Sequence, residues 1–376
     1  MVGQPPKGRT TFCSHSPKVL QPQIGSTKWL PTFRRQRSGD DGFGKGVPGR
    51  MQSRWGWDES RFPPQSDRHA YALQVAKGAA RMAQQRVVLI GLARNLASKI
   101  RSTASALESL GRHFLDYRIA IYENDSEDGT GGWLEQWRDR QERLVLIREA
   151  LGDPKHPPKR SSHRGERMGY YRSQCQALVR ERWSNWDAAI LVDLDLDGLF
   201  SEEGVAHSFG AEQWDFVGSN GLIFRRNRWD ANRVIQYDAW AFRPAGSWEA
   251  IPTGQVNTMV WQRGEPMVPV YSCFGGLGIY RMEAYCAGRY GGPDCEHVPF
   301  HRSLWEQGFR QLYLNPSQLV LYGRKVRRWD RWVHRIDRML GKLGLSRPPW
   351  HFPPDFSGHQ SIAATTGQAI ASRAAG

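Results

Sequence analysis

Cysteine is scarce in this sequence, and its cysteines show no pairing pattern. The 376 residues contain five cysteines, which are widely separated and include no CxxC pair. Disulfide-rich secreted domains carry an even number of closely spaced cysteines, and structural zinc sites use paired ones. The sequence therefore predicts reduced thiols and neither a disulfide framework nor a zinc site. The five residues are Cys13, Cys175, Cys273, Cys286 and Cys295.

Long hydrophobic runs are also missing. No stretch approaches the roughly 18 consecutive apolar residues that indicate a transmembrane helix. The N-terminus lacks the compact apolar core of a secretory signal. We therefore expect no segment that spans a membrane by itself, and a cytoplasmic location.

The net charge of +15 is concentrated at the two ends of the chain. Residues 1–65 hold eleven Lys or Arg and four Asp or Glu, and residues 324–347 hold nine and two, so each segment carries +7. Residues 348–376 are neutral, which leaves +1 for residues 66–323. A nucleic-acid-binding domain needs cations clustered on its folded surface. Nucleic acid is therefore not an expected partner.

Composition divides the chain into four segments. Residues 1–65 are rich in Gly, Pro, Ser and Arg without periodicity, which predicts a disordered basic arm. Residues 66–323 form the predicted folded domain, and residues 346–376 a disordered tail. Residues 324–345 predict a basic amphipathic helix with apolar residues every three or four positions. Such a helix suits the anionic inner face of a membrane, or it packs on the domain with its charged face in water.

Short apolar runs alternate with segments of helical periodicity before residue 200. This pattern predicts an α/β fold, in which a mostly parallel sheet is covered by helices on both faces. After residue 200 the pattern loosens, and we expect it to continue the same sheet in a single domain. The predicted strands are 86–91, the start of 118–130, 143–149, 188–192, 214–221, 268–281 and 311–323. The predicted helices are 66–85, 93–114, one beginning near Trp133, and 166–183.

Three aspartates end the apolar strand that begins at Ala188. Asp193, Asp195 and Asp197 alternate with leucines and are followed by a glycine. Neighbouring carboxylates repel one another, and an isolated buried acid is costly. A divalent cation such as Mg²⁺, Mn²⁺ or Ca²⁺ resolves that conflict because it prefers oxygen ligands. Ligands of open α/β sheets gather at the carboxyl ends of strands, so we predict a metal site here.

Three other interpretations of these aspartates remain open. The DxDxDG spacing matches the first half of an EF-hand loop, but the twelfth position, which needs a Glu, is Gly204. DLDG after a strand also resembles the nucleophile motif of haloacid-dehalogenase-type phosphatases, although Leu199 replaces the usual Thr or Val. The third is a strand end with a solvated acidic turn.

Other polar clusters are candidates for ligand binding. Glu123, Asn124 and Asp125, after the second strand, can accept hydrogen bonds from a base or a ribose, or they form an ordinary turn. Arginine forks suit phosphate oxygens; the candidates are Arg94, Arg167 and Arg172, each of which could equally be a surface cation. The final candidates are Gly275 and Gly276 for close approach of a sugar, and Glu296, His297 and His301 as a base or metal ligands, with surface positions as the alternative for the histidines.

The ordered set IYENDSEDGT, VDLDLDG, SCFGGLGIYR and CEHVPFH resembles GT-A-fold glycosyltransferases. The nearest group resembles the fungal capsule-type α-mannosyltransferases and their bacterial relatives. The resemblance covers roughly residues 86–323, and it implies a GT-A-like (Rossmann-like) catalytic domain. Asp197 departs from a simple DxD motif and leaves open which two aspartates meet the metal.

The resemblance implies a nucleotide-sugar donor, linked to GDP or UDP, and a glycan or lipid-linked acceptor. Its base and ribose would lie against Glu123–Asp125, and Mn²⁺ or Mg²⁺ would join its diphosphate to Asp193 and Asp195. His297 or His301 would complete the metal shell. Glu296 would be the base of an inverting enzyme or would orient the acceptor of a retaining one. The rival functions are a metal-dependent phosphatase and a non-catalytic protein that docks on membranes.

Overall fold

A computed structural model of the chain describes Glu59 and residues 62–154, 161–196, 199–225, 233–259 and 261–324. The predicted basic helix at 324–345, apart from its first residue, and the predicted tail at 346–376 lie outside these residues. Most of the predicted arm at 1–65 and the candidate ligand Asp197 also lie outside them.

The described residues form ten strands and eight helices. The strands are β1 Arg86–Ala93, β2 Asp116–Asn124, β3 Leu144–Glu149, β4 Ala188–Asp193, β5 Phe216–Arg225, β6 Arg233–Gln236, β7 Arg243–Pro244, β8 Val268–Ser272, β9 Leu277–Arg281 and β10 Leu312–Arg324. The helices are α1 Arg68–Met82, α2 Ile100–Gly111, α3 Thr130–Arg140, α4 Ser162–Arg182, α5 Glu202–Gly210, α6 Thr253–Val256, α7 Met282–Ala287 and α8 His297–Glu306. Across the described part of the chain, no helix combines the length and apolar character that crossing a bilayer requires.

The strands build one mixed sheet in the order β3-β2-β1-β4-β9-β5-β10-β8-β7, with β6 beside β5. Strands β3, β2, β1 and β4 pair in parallel, and β10 pairs in parallel with β5. Strand β9 runs antiparallel between β4 and β5. The predicted fold class, a mostly parallel sheet flanked by helices in a single domain, is confirmed. As predicted, the second half of the chain extends the sheet begun by the first.

Both faces of the sheet are buried, which explains why the early strands are continuous apolar runs. In β1, Val87 and Leu89 belong to the core beneath α2, α3 and α5. Their neighbours Val88 and Ile90 belong to the opposite core, beneath α4, α7 and α8. Successive side chains of a strand point to opposite faces, so a strand that is covered on both sides has no polar position.

The structure differs from the predicted elements in two places near the candidate site. The predicted helix at 93–114 begins at Ile100, because residues 94–99 form a loop in which Asn95 has a positive φ of 54°. The predicted strand at 268–281 is two strands, β8 and β9. The turn between them contains Gly275 and Gly276, with φ values of 68° and 91°. Only glycine adopts such values readily, so this glycine pair ends one strand and starts the next.

The end of the predicted disordered arm packs against the domain. Phe62 is buried in a small cluster with Leu222, Leu319 and Leu321. Its burial covers the outer end of β5 and β10, where they would otherwise expose leucines. The ordered domain therefore includes residues that composition alone assigned to the arm.

Candidate active site

The acidic end of β4 lies at the carboxyl edge of the sheet, as predicted. Leu194 and Leu196 are each 1% exposed and hold this stretch against the core. The aspartates alternate with these buried leucines and reach solvent. The side chain of Asp193 is 24% exposed, and Asp195 is exposed. The backbone N–H of Asp193 donates to the carbonyl of Gly276, 2.9 Å away, which joins the strand end to the glycine turn.

Two donors from opposite sides hold the carboxylate of Asp193. Arg172 Nη2 lies 3.2 Å from Oδ1, and the hydroxyl of Tyr322 donates to Oδ2. Burial raises the pKa of Asp193 to about 7, and the charges of Asp195 and Glu296 add to the rise, while Arg172 and Tyr322 oppose it. Because the ionised form of Asp193 is unfavourable near neutral pH, a cation bound nearby would stabilise it.

Arg172 is buried under the acidic residues rather than facing a ligand. Its side chain is 3% exposed, and its Nε donates to Glu296 Oε1 at 3.1 Å. Its guanidinium also lies 5.0 Å from the centre of the Phe274 ring. The predicted direct contact of Arg172 with a diphosphate is therefore replaced by a contact with two carboxylates.

Glu296 and the two histidines of α8 occupy different environments. Glu296 is 6% exposed and accepts from Arg172, and its role as a base or in orienting an acceptor stays a prediction. His297 stacks on Phe274 at 3.9 Å, and neither of its ring nitrogens has a hydrogen-bond partner among the described residues. Burial and the charge of Arg172 keep its pKa well below the usual value, so the ring is neutral.

His301 is a core residue, contrary to its prediction as a metal ligand. Its Nδ1 lies 2.9 Å from Ser272 Oγ, and its Nε2 lies 2.9 Å from the hydroxyl of Tyr280. Both nitrogens are therefore occupied inside the protein, and the side chain is fully buried. Its position facing β8 and β9 fixes α8 against the sheet.

We expect His301 to make the protein sensitive to acid. Burial lowers the pKa of His301 to about 3, whereas an unfolded histidine titrates near pH 6.5. Between these values the unfolded state binds more protons, so stability falls as the pH falls, by about 1.4 kcal/mol per unit. His301 alone should cost about 2 kcal/mol between pH 6.5 and 5. Urea unfolding across this range measures the slope, and His301→Gln should flatten it; an unchanged slope would contradict the assignment.

Residues 123–125 fasten two loops together instead of facing a ligand. Glu123 is 1% exposed, and its two oxygens accept from Ser126 N at 2.9 Å and Arg148 Nε at 2.7 Å. Asp125 accepts from the backbone N–H groups of residues 152 and 153, at 3.0 and 3.1 Å. Asn124 is 2% exposed and donates to Asp125. These contacts fit the turn interpretation of the cluster, and binding of a base or ribose by it stays a prediction.

Arg94 and Arg167 both brace the loop after β3. The guanidinium of Arg94 donates to the carbonyls of Asp153 and Pro154. Arg167 Nη2 lies 2.9 Å from the carboxylate of Asp153, which also accepts from the hydroxyl of Tyr171 at 2.6 Å. Their predicted contact with a diphosphate is replaced here by contacts with this loop.

Gly275 and Gly276 lie in close contact with neighbouring parts of the fold. A Cβ on Gly275 would lie 2.0 Å from the carbonyl oxygen of Ser219, and one on Gly276 would lie 2.6 Å from the ring of Tyr322. The structure gives both glycines a packing role, and their role in acceptor binding stays a prediction. These glycines allow β5 and Tyr322 to approach the turn closely.

Besides Tyr322, three residues of this edge were not among the predicted site residues. Lys99 Nζ donates to the backbone carbonyl of Asp195 at 2.7 Å. The ring of Tyr237 stacks on Tyr322 with 3.3 Å between their centres and an angle of 17°. Asp238, whose pKa is raised by burial, accepts from Gly275 N at 2.8 Å. All three come from distant parts of the chain, so no local motif marked them.

Comparison with protein-family models gives no match, and comparison with curated proteins gives none. Solved structures are similar at low identity. GalNAc-T7 with UDP, GalNAc and Mn²⁺ is 13% identical with a TM-score of 0.37, over 64% of this chain and 44% of that one. A mannosyltransferase from Pyrobaculum calidifontis in complex with GDP-Man and Mn²⁺ is 13% identical with a TM-score of 0.39, over 81% and 86%.

A third structure is glucosyl-3-phosphoglycerate synthase from Mycobacterium tuberculosis in complex with Mn²⁺, UDP and phosphoglyceric acid. It is 15% identical with a TM-score of 0.36, over 73% of this chain and 84% of that one. This chain spans less than half of the GalNAc-T7 chain. At these identities and TM-scores the similarities assign no family, and the resemblance to capsule-type mannosyltransferases stays a prediction.

Proposed function

We propose that this chain is a metal-dependent glycosyltransferase, which moves a sugar from a nucleotide-diphosphate sugar to a hydroxyl acceptor. One observation carries the proposal: Asp193 and Asp195 leave β4 at the carboxyl edge of the sheet, between parallel β1 and antiparallel β9. Ligands of open α/β sheets bind outside the carboxyl ends of strands where the strand order reverses, and in this sheet that point lies between β1 and β4.

The residues present fit a cation that is shared with a substrate. The described part of the chain contains no group of three His, Cys, Asp or Glu side chains that could enclose a metal. It offers two neighbouring carboxylates instead. Mg²⁺ is typically held by one or two carboxylates together with substrate phosphates, which matches this pair better than a protein-only site. Asp193 and Asp195 would hold the ion, which when bound would offset negative charge on the departing diphosphate.

The protein's own groups would orient the donor and its charges. Arg172 and Tyr322 fix the direction of the Asp193 carboxylate. Lys99 places a cation beside Asp195, at the edge where the diphosphate would lie. Glu296 would act through Arg172, which it keeps in place, rather than as a base.

The finer features of the proposal come from the sequence. The resemblance implies mannose as the sugar, GDP or UDP as the nucleotide, and a glycan or lipid-linked hydroxyl as the acceptor. The basic segment 324–345 would bring the domain to an anionic membrane surface at the cytoplasmic side. Mn²⁺ or Mg²⁺ is the proposed cofactor.

A thermal-shift screen of nucleotide diphosphates tests the proposal. We expect GDP or UDP to raise the unfolding midpoint in the presence of Mn²⁺ and to have little effect without it. Binding to the native state at 100 times the dissociation constant adds about 2.7 kcal/mol of stability. The nucleotide that stabilises the protein then selects the sugar donors for a transfer assay.

Two outcomes would favour the rival functions. Hydrolysis of p-nitrophenyl phosphate that is abolished by Asp193→Asn would indicate a phosphatase. Stabilisation by a nucleotide without any turnover of the matching nucleotide sugars would indicate a binding protein. If no nucleotide diphosphate stabilises the protein with Mn²⁺, the proposed donor site is wrong.

A further inference from the structure

We infer that Tyr322 is a positioning residue, whose hydroxyl aims the Asp193 carboxylate at the cation and diphosphate. The inference rests on the proposed function and adds a residue that no local motif indicated. Tyr322 lies near the end of β10, 129 positions from Asp193 along the chain. Its hydroxyl donates to Asp193 Oδ2, the oxygen that Arg172 does not contact.

The two donors hold the carboxylate from opposite elements of the fold. Arg172 comes from α4 and contacts Oδ1, whereas Tyr322 comes from β10 and contacts Oδ2. Asp193 is also fixed at its backbone by the carbonyl of Gly276. These contacts to both oxygens and to the backbone fix the plane of the carboxylate. The lone pair that remains on each oxygen then points in a fixed direction.

Tyr322 is itself held rigidly, as a positioning group must be. One face of its ring stacks on Tyr237 at 3.3 Å. Its ring also fills the space where a side chain at residue 276 would stand, since a Cβ there would lie 2.6 Å from Cε2 and from the hydroxyl oxygen. The glycine at 276 therefore serves Tyr322: any larger residue would push the ring, and with it the hydroxyl, away from Asp193.

The negative charge of Asp195 explains why the carboxylate of Asp193 has to be held in place. Asp193 and Asp195 are two residues apart at the end of β4, and like-charged carboxylates repel each other. Without a donor on Oδ2, the Asp193 side chain would lower that repulsion by turning away. Groups that orient metal ligands typically contribute about 10- to 100-fold to metal affinity. We therefore expect the hydroxyl of Tyr322 to contribute on this scale.

The variant Tyr322→Phe removes the hydroxyl and keeps the stacked ring. In the full chain with GDP or UDP present, it should weaken Mn²⁺ binding by about 10- to 100-fold, measured from the free Mn²⁺ signal in electron paramagnetic resonance. Saturating Mn²⁺ should restore much of the turnover, so the Mn²⁺ concentration for half-maximal rate rises more than kcat falls. A crystal structure of the variant should show the Asp193 carboxylate rotated.

Tyr313→Phe is the matched control. Tyr313 lies on the same strand, and its hydroxyl donates to Gln311 at 2.5 Å rather than to Asp193 or Asp195. Its Mn²⁺ affinity should equal that of the wild type. Tyr322→Phe binding Mn²⁺ within twofold of the wild type would overturn the inference and leave the proposed function standing. A wild-type protein that binds no Mn²⁺ with either nucleotide would overturn both.

Discussion

Under the function proposed above, replacing Asp195 with asparagine is expected to slow sugar transfer strongly while leaving the fold intact. The side chain of Asp195 is exposed at the end of β4, so the substitution removes a charge without opening a cavity. The neutral amide is a weaker ligand for a hard cation, and the charge that builds on the departing diphosphate then loses its main counter-charge. Losing one well-placed electrostatic group typically costs about 100- to 1000-fold in rate. We expect kcat/KM for the nucleotide sugar to fall by that amount.

The control for this substitution is Asp139→Asn, which changes an exposed aspartate of α3 that pairs with Arg138. Both variants should unfold at the midpoint of the wild type, and only Asp195→Asn should lose activity and the Mn²⁺-dependent stabilisation by nucleotide. Full activity of Asp195→Asn would show that the strand end does not carry the metal, and the proposed mechanism would then be untenable.

The fold could be predicted because its signals are local. The apolar runs of β1, β2 and β4 have no polar alternation, since helices cover both faces of the sheet. The position of the acidic residues at the end of β4 followed from the same pattern. Helix limits were less predictable: residues 94–99 continue the helical pattern of α2 in sequence, but their backbone follows the loop that carries Arg94 and Lys99.

The partners of charged residues could not be predicted from the sequence. Arg172 is the type of residue expected to contact a phosphate, yet it is buried between Asp193 and Glu296. Glu123 follows a strand as a ligand-binding acid would, but Arg148 from β3 neutralises it. For both residues, the role depends on a partner that is distant in sequence. Residue type alone does not distinguish a ligand contact from an internal ion pair. Tyr322 could not be found for the same reason, because β10 meets the residues that follow β4 only through long-range backbone contacts between residues 199–201 and 319–321.

We expect substitution of the buried Arg263 to lower the stability of the protein strongly. The side chain of Arg263 is 3% exposed, and its guanidinium lies 2.7 Å from Glu59 and 2.9 Å from Glu203. It also donates to the hydroxyl of Tyr71 at 2.7 Å and to the carbonyl of Phe62 at 3.0 Å. This one residue therefore ties residues 59–62 and α1 to the beginning of α5. Removing one partner of a buried ion pair leaves the other charge uncompensated, which typically costs about 3–5 kcal/mol.

We expect Arg263→Met to lower the free energy of unfolding by about 3–5 kcal/mol, measured by urea unfolding and tryptophan fluorescence. Arg138→Met, which breaks an exposed ion pair with Asp139, should cost no more than about 1 kcal/mol. Adding Glu203→Gln to Arg263→Met should recover part of the loss, because one of the stranded carboxylates is then removed. A loss below about 1 kcal/mol in Arg263→Met would show that water reaches Glu59 and Glu203 once the guanidinium is gone.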